Sequence, residues 1–289
     1  MTLRILTDSG CDLPDDIIKE YDIYVFPIIV IDNDEEYLDN VTIKAKTLYE
    51  NMKSGKHYRT AQIPPNVFEE EFEKIAKNGE SAIYIAFSSG LSATYQSSVL
   101  VKDSLLEKYP DLDLTIVDSK SASLGFGLIV YEAAKMAKEG KSKEEILKML
   151  DFYIDHMDHI FTVDNLEYLF RGGRVTRTQA LMGGLLNIKP ILDVTEEGKL
   201  RSLEKVRGKG KVLKRMLELM DERAKEVDFS SQIIGISHGD DYDNALKLKG
   251  MIEEKYGVKE FVINDIGCAI GAHSGPGTIA LFFLDENYN

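Results

Sequence analysis

Along the first half of the chain, apolar runs of strand length alternate with stretches in which apolar residues recur at helical spacing. Leu3–Thr7, Ala82–Phe87 and Leu112–Asp118 read as buried strands. Helical patterns cover about 44–53, 65–77, 91–108, 123–139 and 143–156, with Leu91, Tyr95 and Val99 stepping by four. Pro14 suits the first turn of a short helix. Tyr24–Ile31 is strand-like, but Pro27 has no N–H for a ladder and predicts an edge or a break. Strands separated by helices of this length predict a mostly parallel, Rossmann-like α/β sheet with right-handed crossovers. Ligands of such sheets bind at the carboxyl ends of strands, where Ser88–Ser92 and Asp118–Ser119 fall.

The second half follows a different pattern. Lys189–Val194 and Leu200–Arg207 flank Thr195–Lys199 and predict a hairpin with a Gly-containing loop. A helix over about 211–227, the strand 232–237, the helix Tyr242–Tyr256 and the strand Glu260–Asp265 come next. Gly275-Pro276-Gly277-Thr278 then leads into a last apolar strand, Ile279–Leu284. This predicts a second α/β unit, a mixed sheet with helices on one face. The expected boundary lies near 157–162, dividing the chain into an N-terminal α/β domain, 1–158, and a C-terminal one, 159–289. With neither an internal repeat nor a low-complexity linker, the halves are expected to pack closely.

Composition narrows the class. The 289 residues are 44% apolar and 29% charged, the balance of a soluble globular protein with a buried core. No segment approaches the ~20 apolar residues that cross a bilayer, and the N-terminus lacks a signal-peptide layout. Cys11 and Cys268 are too few for a disulfide framework, so reduced thiols in a cytoplasmic protein are expected. A net charge of −14 argues against nucleic acid and against anything beyond transient contact with anionic membranes. The basic residues are nevertheless clustered. Lys199, Arg201, Lys205, Arg207, Lys209, Lys211, Lys214 and Arg215 are accompanied by the single acid Glu204, and Arg171, Arg174 and Arg177 lie upstream. These segments are either a solvated hairpin and helix face or a docking surface for a phosphate or an acidic partner.

The candidate chemistry centres on 82–98, where a strand ends in Ser88-Ser89-Gly90 and a helix begins. Free helical amides and hydroxyls there suit a small anion, although a capped junction has the same residue types. A Ser-x-x-Glu capping box is missing, since Tyr95 stands three residues after Ser92. Ser88-Ser89-Gly90 does not supply the Gly-x-Ser-x-Gly of a nucleophile elbow, no Walker loop occurs, and no complete Gly-x-Gly-x-x-Gly follows a strand; Gly125-Phe126-Gly127 falls within a helical pattern instead. His156 and His159, three apart, are a metal pair or, more simply, surface or packing residues. His238 at a strand end is a site candidate beside Asp240 and Asp241, which also suit an N-cap. His273 sits among glycines that admit a ligand or another backbone closely, which favours a hydrogen-bonding role.

Ordered motifs run from end to end: Thr7-Asp8-Ser9, Thr60-Ala61-Gln62-Ile63-Pro64, Ser88 to Gln96 and Val117-Asp118-Ser119-Lys120. Leu166 to Arg174, Leu186-Asn187-Ile188-Lys189-Pro190, Glu204 to Gly208 and Gly275 to Thr278 complete them. In these the chain resembles the DegV family of fatty acid-binding proteins, which includes the FakB subunits of bacterial fatty acid kinase. The resemblance implies two α/β domains with one long-chain fatty acid, such as palmitate, buried between them. It implies that Thr60 and Ser92 hold the carboxylate, with His273 supporting the network. It also implies a phosphate-linked arginine facing a kinase partner, Arg207 fitting best and Arg201 less well. On this reading the chain is a lipid carrier, not an enzyme; it needs no metal or cofactor, and ATP is used by the partner subunit. Ala61, more often Ser in relatives, and Ala93, more often Gly, depart from the pattern and are expected to alter pocket detail only. Burial of the tail, at ~0.8 kcal/mol per methylene, is the larger energetic term, and neutral hydroxyls and helix amides fix the carboxylate without a buried ion pair. Ser92→Ala is expected to weaken binding, and Thr60→Ala to weaken it less. The rival readings are a stand-alone hydrolase using Ser92 with His273, and a carrier or regulator for another apolar acid.

Overall fold

A computed structural model describes residues 3–178, 188–224 and 226–288. Leu186 and Asn187 of the motif ending at Pro190 lie outside the described residues.

The first half builds a parallel sheet of four strands in the order β2-β1-β6-β7. These are β1 (Arg4–Asp8), β2 (Tyr24–Phe26), β6 (Ser81–Ala86) and β7 (Asp113–Asp118). Period-2 alternation gives this sheet two buried faces. Leu6, Ala82, Tyr84 and Ala86 pack against helices α3 (Pro65–Asn78) and α4 (Thr94–Lys108). Ile5, Ile83 and Ile85 face helix α5 (Ser123–Lys138) instead.

The second half forms a mixed sheet of six strands, β10-β9-β8-β13-β11-β12. It comprises β8 (Met157–Thr162), β9 (Ile188–Val194), β10 (Leu200–Arg207), β11 (Ile233–His238), β12 (Glu260–Asp265) and β13 (Ile279–Leu284). Ile279, Leu281 and Phe283 face helices α8 (Lys209–Arg223) and α9 (Tyr242–Tyr256). Ala280, Phe282 and Leu284 face the opposite way, into the core shared with α5. The expectation of helices on one face therefore needs correction. The second half's own helices lie on one face, but the first half supplies α5 to the other. Sandwiched between two sheets, α5 is buried nearly all round. Gly125 and Gly127 belong to that packing: a Cβ on Gly127 would meet the Cys11 carbonyl oxygen at 2.3 Å.

Pro27 splits the expected Tyr24–Ile31 strand. Tyr24–Phe26 joins the parallel sheet, whereas Ile29–Asp32 (β3) pairs antiparallel with β4 (Glu35–Leu38) and β5 (Arg59–Ala61) in a separate three-stranded sheet. Beside it lie α2 (Ala45–Lys53) and a short helix, α10 (Cys268–Ser274). The remaining helices are α1 (Asp15–Glu20), α6 (Lys143–His156) and α7 (Glu167–Arg171). Elements β4, β5, α7 and α10 carry no periodic signal in the sequence because they are short and interrupted by glycine or polar residues. Among the described residues no helix is long and apolar enough to cross a membrane, and both cysteines are buried and unpaired.

The halves are tied together at the turn after β6. Ser88 Oγ donates to the Gly198 carbonyl at the tip of the β9–β10 hairpin (2.7 Å). Gly198 takes φ +72° there, and a Cβ on it would run into Ser88 Oγ.

Candidate functional site

Between the two sheets, beside α5 and α10, lies a cavity of about 270 Å³. One wall follows the inner face of β13 and the residue before it, Thr278, Ala280 and Phe282 lining it at every second residue, with Phe161 and His159 of β8 alongside. The other walls are mostly apolar, from Ile28, Phe87, Leu91, Leu169 and Ile270 among others. Its polar lining includes Thr60, Ser92, Arg174 and His273, with Thr60 against His273 and Arg174 against the Leu91 carbonyl next to Ser92.

Thr60 is carried by β5, paired with Val30 of β3. Its hydroxyl lies 2.7 Å from His273 Nε2. His273 stands in the last turn of α10, and the backbone at Gly172 closes against the ring. A Cβ on Gly172 would lie 2.1 Å from Nδ1. Burial, and then the nearby Arg174 charge, push His273 down to about 3. The imidazole is therefore neutral at physiological pH, with one donor and one acceptor nitrogen.

Ser92 both supports the start of the helix and borders the cavity. Its Oγ accepts the Thr94 amide hydrogen (3.2 Å), lies 2.9 Å from Thr94 Oγ1 and lines the cavity. The helix starts at Thr94 instead of at Leu91, because Ser88–Ser92 forms a turn in which the Leu91 and Ser92 amides donate to Ser88 O. The amides at the strand end, before the helix, are already engaged. Phe87 N donates to Asp8 (2.9 Å) and Ser89 N to Asp118 (3.0 Å), while Ser88 N donates to Ser121 O (3.1 Å). At this turn Leu91, Ser92 and Ala93 line the cavity.

The sequence marks Arg174 as part of a basic face; the fold turns it inward. Its Nε and Nη2 donate to the Leu91 carbonyl (3.2 and 3.0 Å), and Nη1 donates to Gly172 O. Among the described residues no carboxylate pairs with it, and burial lowers its pKa. Ser274 was also missed: its buried hydroxyl has no partner among the described residues, and the residue lines the cavity. Neither role has a local signal, because both depend on how the halves close.

The other candidates separate. Arg201 makes a bidentate pair with buried Asp193 (3.0 and 2.6 Å). Arg207 is exposed at the end of β10, where it pairs in register with Ile188. Arg215 is taken up by Glu204 and Glu222 (both 2.6 Å), so the expected basic face is broken by internal ion pairs. His156 contacts Asp285 (2.9 Å) and His159 contacts Ser121 (2.6 Å), so the two face different partners. His238 is buried against Tyr242, with Asp265 3.2 Å from Nδ1. Ser92 and His273 share no hydrogen bond, and an imidazole with so low a pKa is a weak base, which disfavours the hydrolase reading.

The depressed His273 predicts a specific acid sensitivity. Below about 6.5 the unfolded chain takes up a proton that the folded chain refuses until about 3, so stability is lost as pH falls through that window. His273→Gln removes this proton linkage. Between pH 7 and 5 the wild type is expected to lose about 2 kcal/mol more than the variant in urea unfolding. Parallel pH profiles would show that His273 titrates normally.

Comparison with known proteins gives a consistent picture. The family model matching residues 2–286 is that of the DegV family, described as uncharacterised proteins. A DegV domain-containing protein of Clostridium perfringens is 43% identical over 284 residues, covering 98% of this chain and 97% of that one. Among solved structures, a fatty acid-binding DegV family protein from Thermus thermophilus superposes with TM-score 0.87 at 28% identity, covering 98% of this chain and 99% of that one. DegV of Bacillus subtilis, described as a fatty acid-binding protein, gives 0.84 at 29% identity and 98% of both chains. With a family match spanning nearly its whole length and a fold to go with it, this chain belongs to the DegV family.

Proposed function

We propose that this chain binds one long-chain fatty acid in the cavity and presents its carboxylate to a partner kinase subunit for phosphorylation. The observation that carries the reading is the cavity's polarity: an apolar passage with hydroxyls, a neutral imidazole and an uncompensated guanidinium in its lining. Thr60 and Ser92 supply donors for the carboxylate, and His273 holds Thr60 in place. Arg174 supplies positive potential beside them, with three of its five N–H groups donated to the Leu91 and Gly172 carbonyls. The fatty acid binding described for the Thermus and Bacillus relatives supports the same ligand class.

Residues 1–158 would then carry the hydroxyls and 159–289 the exposed arginine for the partner, in the cytoplasm, where acyl phosphate chemistry has ATP. Of the two candidate arginines, Arg207 is the better contact because Arg201 is held by Asp193. The test is mass spectrometry of an organic extract from purified protein, followed by addition of a fatty acid kinase subunit and ATP. A long-chain acid near one per chain is expected, and Arg207→Glu should keep the acid but lose ATP-dependent acyl phosphate. An extract without lipid overturns the binding reading. Equal loss of both properties in Arg207→Glu overturns the division of labour.

A further inference from the structure

Farther along β13 from Thr278, opposite Phe282, His159 lines the cavity and forms a buried polar pair with Ser121. His159 is 4% exposed and Ser121 1% exposed, and His159 Nε2 lies 2.6 Å from Ser121 Oγ. The ring also meets Phe282 edge-on, with centroids 5.4 Å apart. Helix α5 leaves room for it: a Cβ on Gly125 would fall 2.6 Å from His159 Nε2. Fixed on each of these sides, the imidazole cannot easily swing aside.

Beyond the ring the environment changes. His159 and Val194 line both the apolar cavity and a second, charged cleft of about 390 Å³. In that cleft Arg223 pairs with Asp158 (2.6 Å) and Asp193 (2.9 Å), and Lys120 and Glu197 are close by. The imidazole thus separates a space that rewards methylenes from one that does not. From Thr278, just before β13, to Phe282 the chain advances four steps, about 13 Å of extended backbone. An extended chain advances ~1.2 Å per bond, so an acyl chain running along β13 meets His159 after about eleven bonds.

Resting on the proposed fatty acid function, we propose that His159 is the length-selecting residue of this cavity, and that Ser121 is the positioning residue that holds its ring across the passage. Acids whose chains end against the imidazole gain full burial; longer ones must fold back or push into the charged cleft.

The experiment titrates delipidated protein with saturated acids from about twelve to about twenty carbons, using displacement of a fluorescent fatty acid. Wild type is expected to reach a plateau or maximum in affinity within the series. His159→Ala vacates the ring's space and should move that point to longer chains, raising affinity for the longer acids about tenfold per two added carbons, the worth of two buried methylenes. His159→Phe keeps the bulk and should leave the cut-off where it is. Ser121→Ala should blur the cut-off, and Ser121→Thr should restore it. Because His159→Phe and Ser121→Thr preserve size or hydroxyl, they keep the test valid if the alanine variants fold poorly. Coincident length profiles for wild type and His159→Ala, with binding retained, overturn the selectivity assignment alone, as does a Phe variant that behaves like Ala. A wild type that binds none of the acids overturns the fatty acid reading beneath it.

Discussion

Removing the hydroxyls of Thr60 and Ser92 together is expected to weaken fatty acid binding by delipidated protein by at least a hundredfold. A hydrogen bond to a charged group is worth ~1.5–3 kcal/mol, and each 1.4 kcal/mol is a factor of ten. Each single change to Ala should therefore weaken binding about ten- to a hundredfold. The ranking drawn from the sequence, with Ser92 the larger, does not survive the geometry. Thr60 Oγ1 is bonded to His273 Nε2, so Thr60→Ala removes a donor and also strips a buried imidazole of its partner. Ser92→Ala leaves Thr94 to be satisfied by solvent or its own helix. The Thr60 loss should equal or exceed the Ser92 loss. Calorimetry decides the point: unchanged affinity in both variants removes the carboxylate from this part of the cavity.

The second large effect is expected from a single methyl group. Gly172→Ala places a Cβ 2.1 Å from His273 Nδ1, far inside contact distance. The ring must move, and it cannot move while keeping its 2.7 Å contact with Thr60. Overpacking of this kind costs ~1–3 kcal/mol, and for a chain of this size each kcal/mol lowers Tm by roughly 2–4 °C. We expect a Tm lowered by several degrees together with at least tenfold weaker binding. Gly250 provides the control. It lies in α9, where a Cβ would have no neighbour within 4 Å, so Gly250→Ala should be neutral or stabilising by up to ~1 kcal/mol, with binding unchanged. Wild-type binding in Gly172→Ala would mean that the position of the imidazole is irrelevant to the ligand.

These two outcomes test different layers of one site. The hydroxyl changes remove groups that would touch the ligand, whereas Gly172→Ala displaces a group that orients one of them. If only the first weakens binding, His273 is packing and Thr60 acts alone. Loss in both would establish the chain from Gly172 through His273 to Thr60 as a single device, with shape at one end and hydrogen bonding at the other.

Much of the architecture was legible from residue order because it is written in periodicity. Ile279–Leu284 alternates its burial between two faces, and the helices 143–156 and 242–256 begin and end where their patterns do. Pro27 marked a break whose cause is local, the missing N–H. Motif matching pointed to Thr60, Ser92 and His273 as a set, since it compares whole ordered strings of residues. Periodicity reports only that a face is buried, never against what. So α5 could be read as a buried helix, but not as the layer shared by two sheets. Arg174 could be read as basic, but not as a cation turned into a cavity. Thr60 and His273 are 213 residues apart in the chain and 2.7 Å apart in space. Contacts of that kind follow from the closure of one half over the other, which local propensity does not encode. The class of fold and the identity of the candidate groups were therefore the sequence's to determine. Which groups meet, which are already occupied, and that His159 borders both the cavity and the charged cleft were decided by tertiary packing, because hydrogen bonds and van der Waals contacts depend on separations in space and not along the chain.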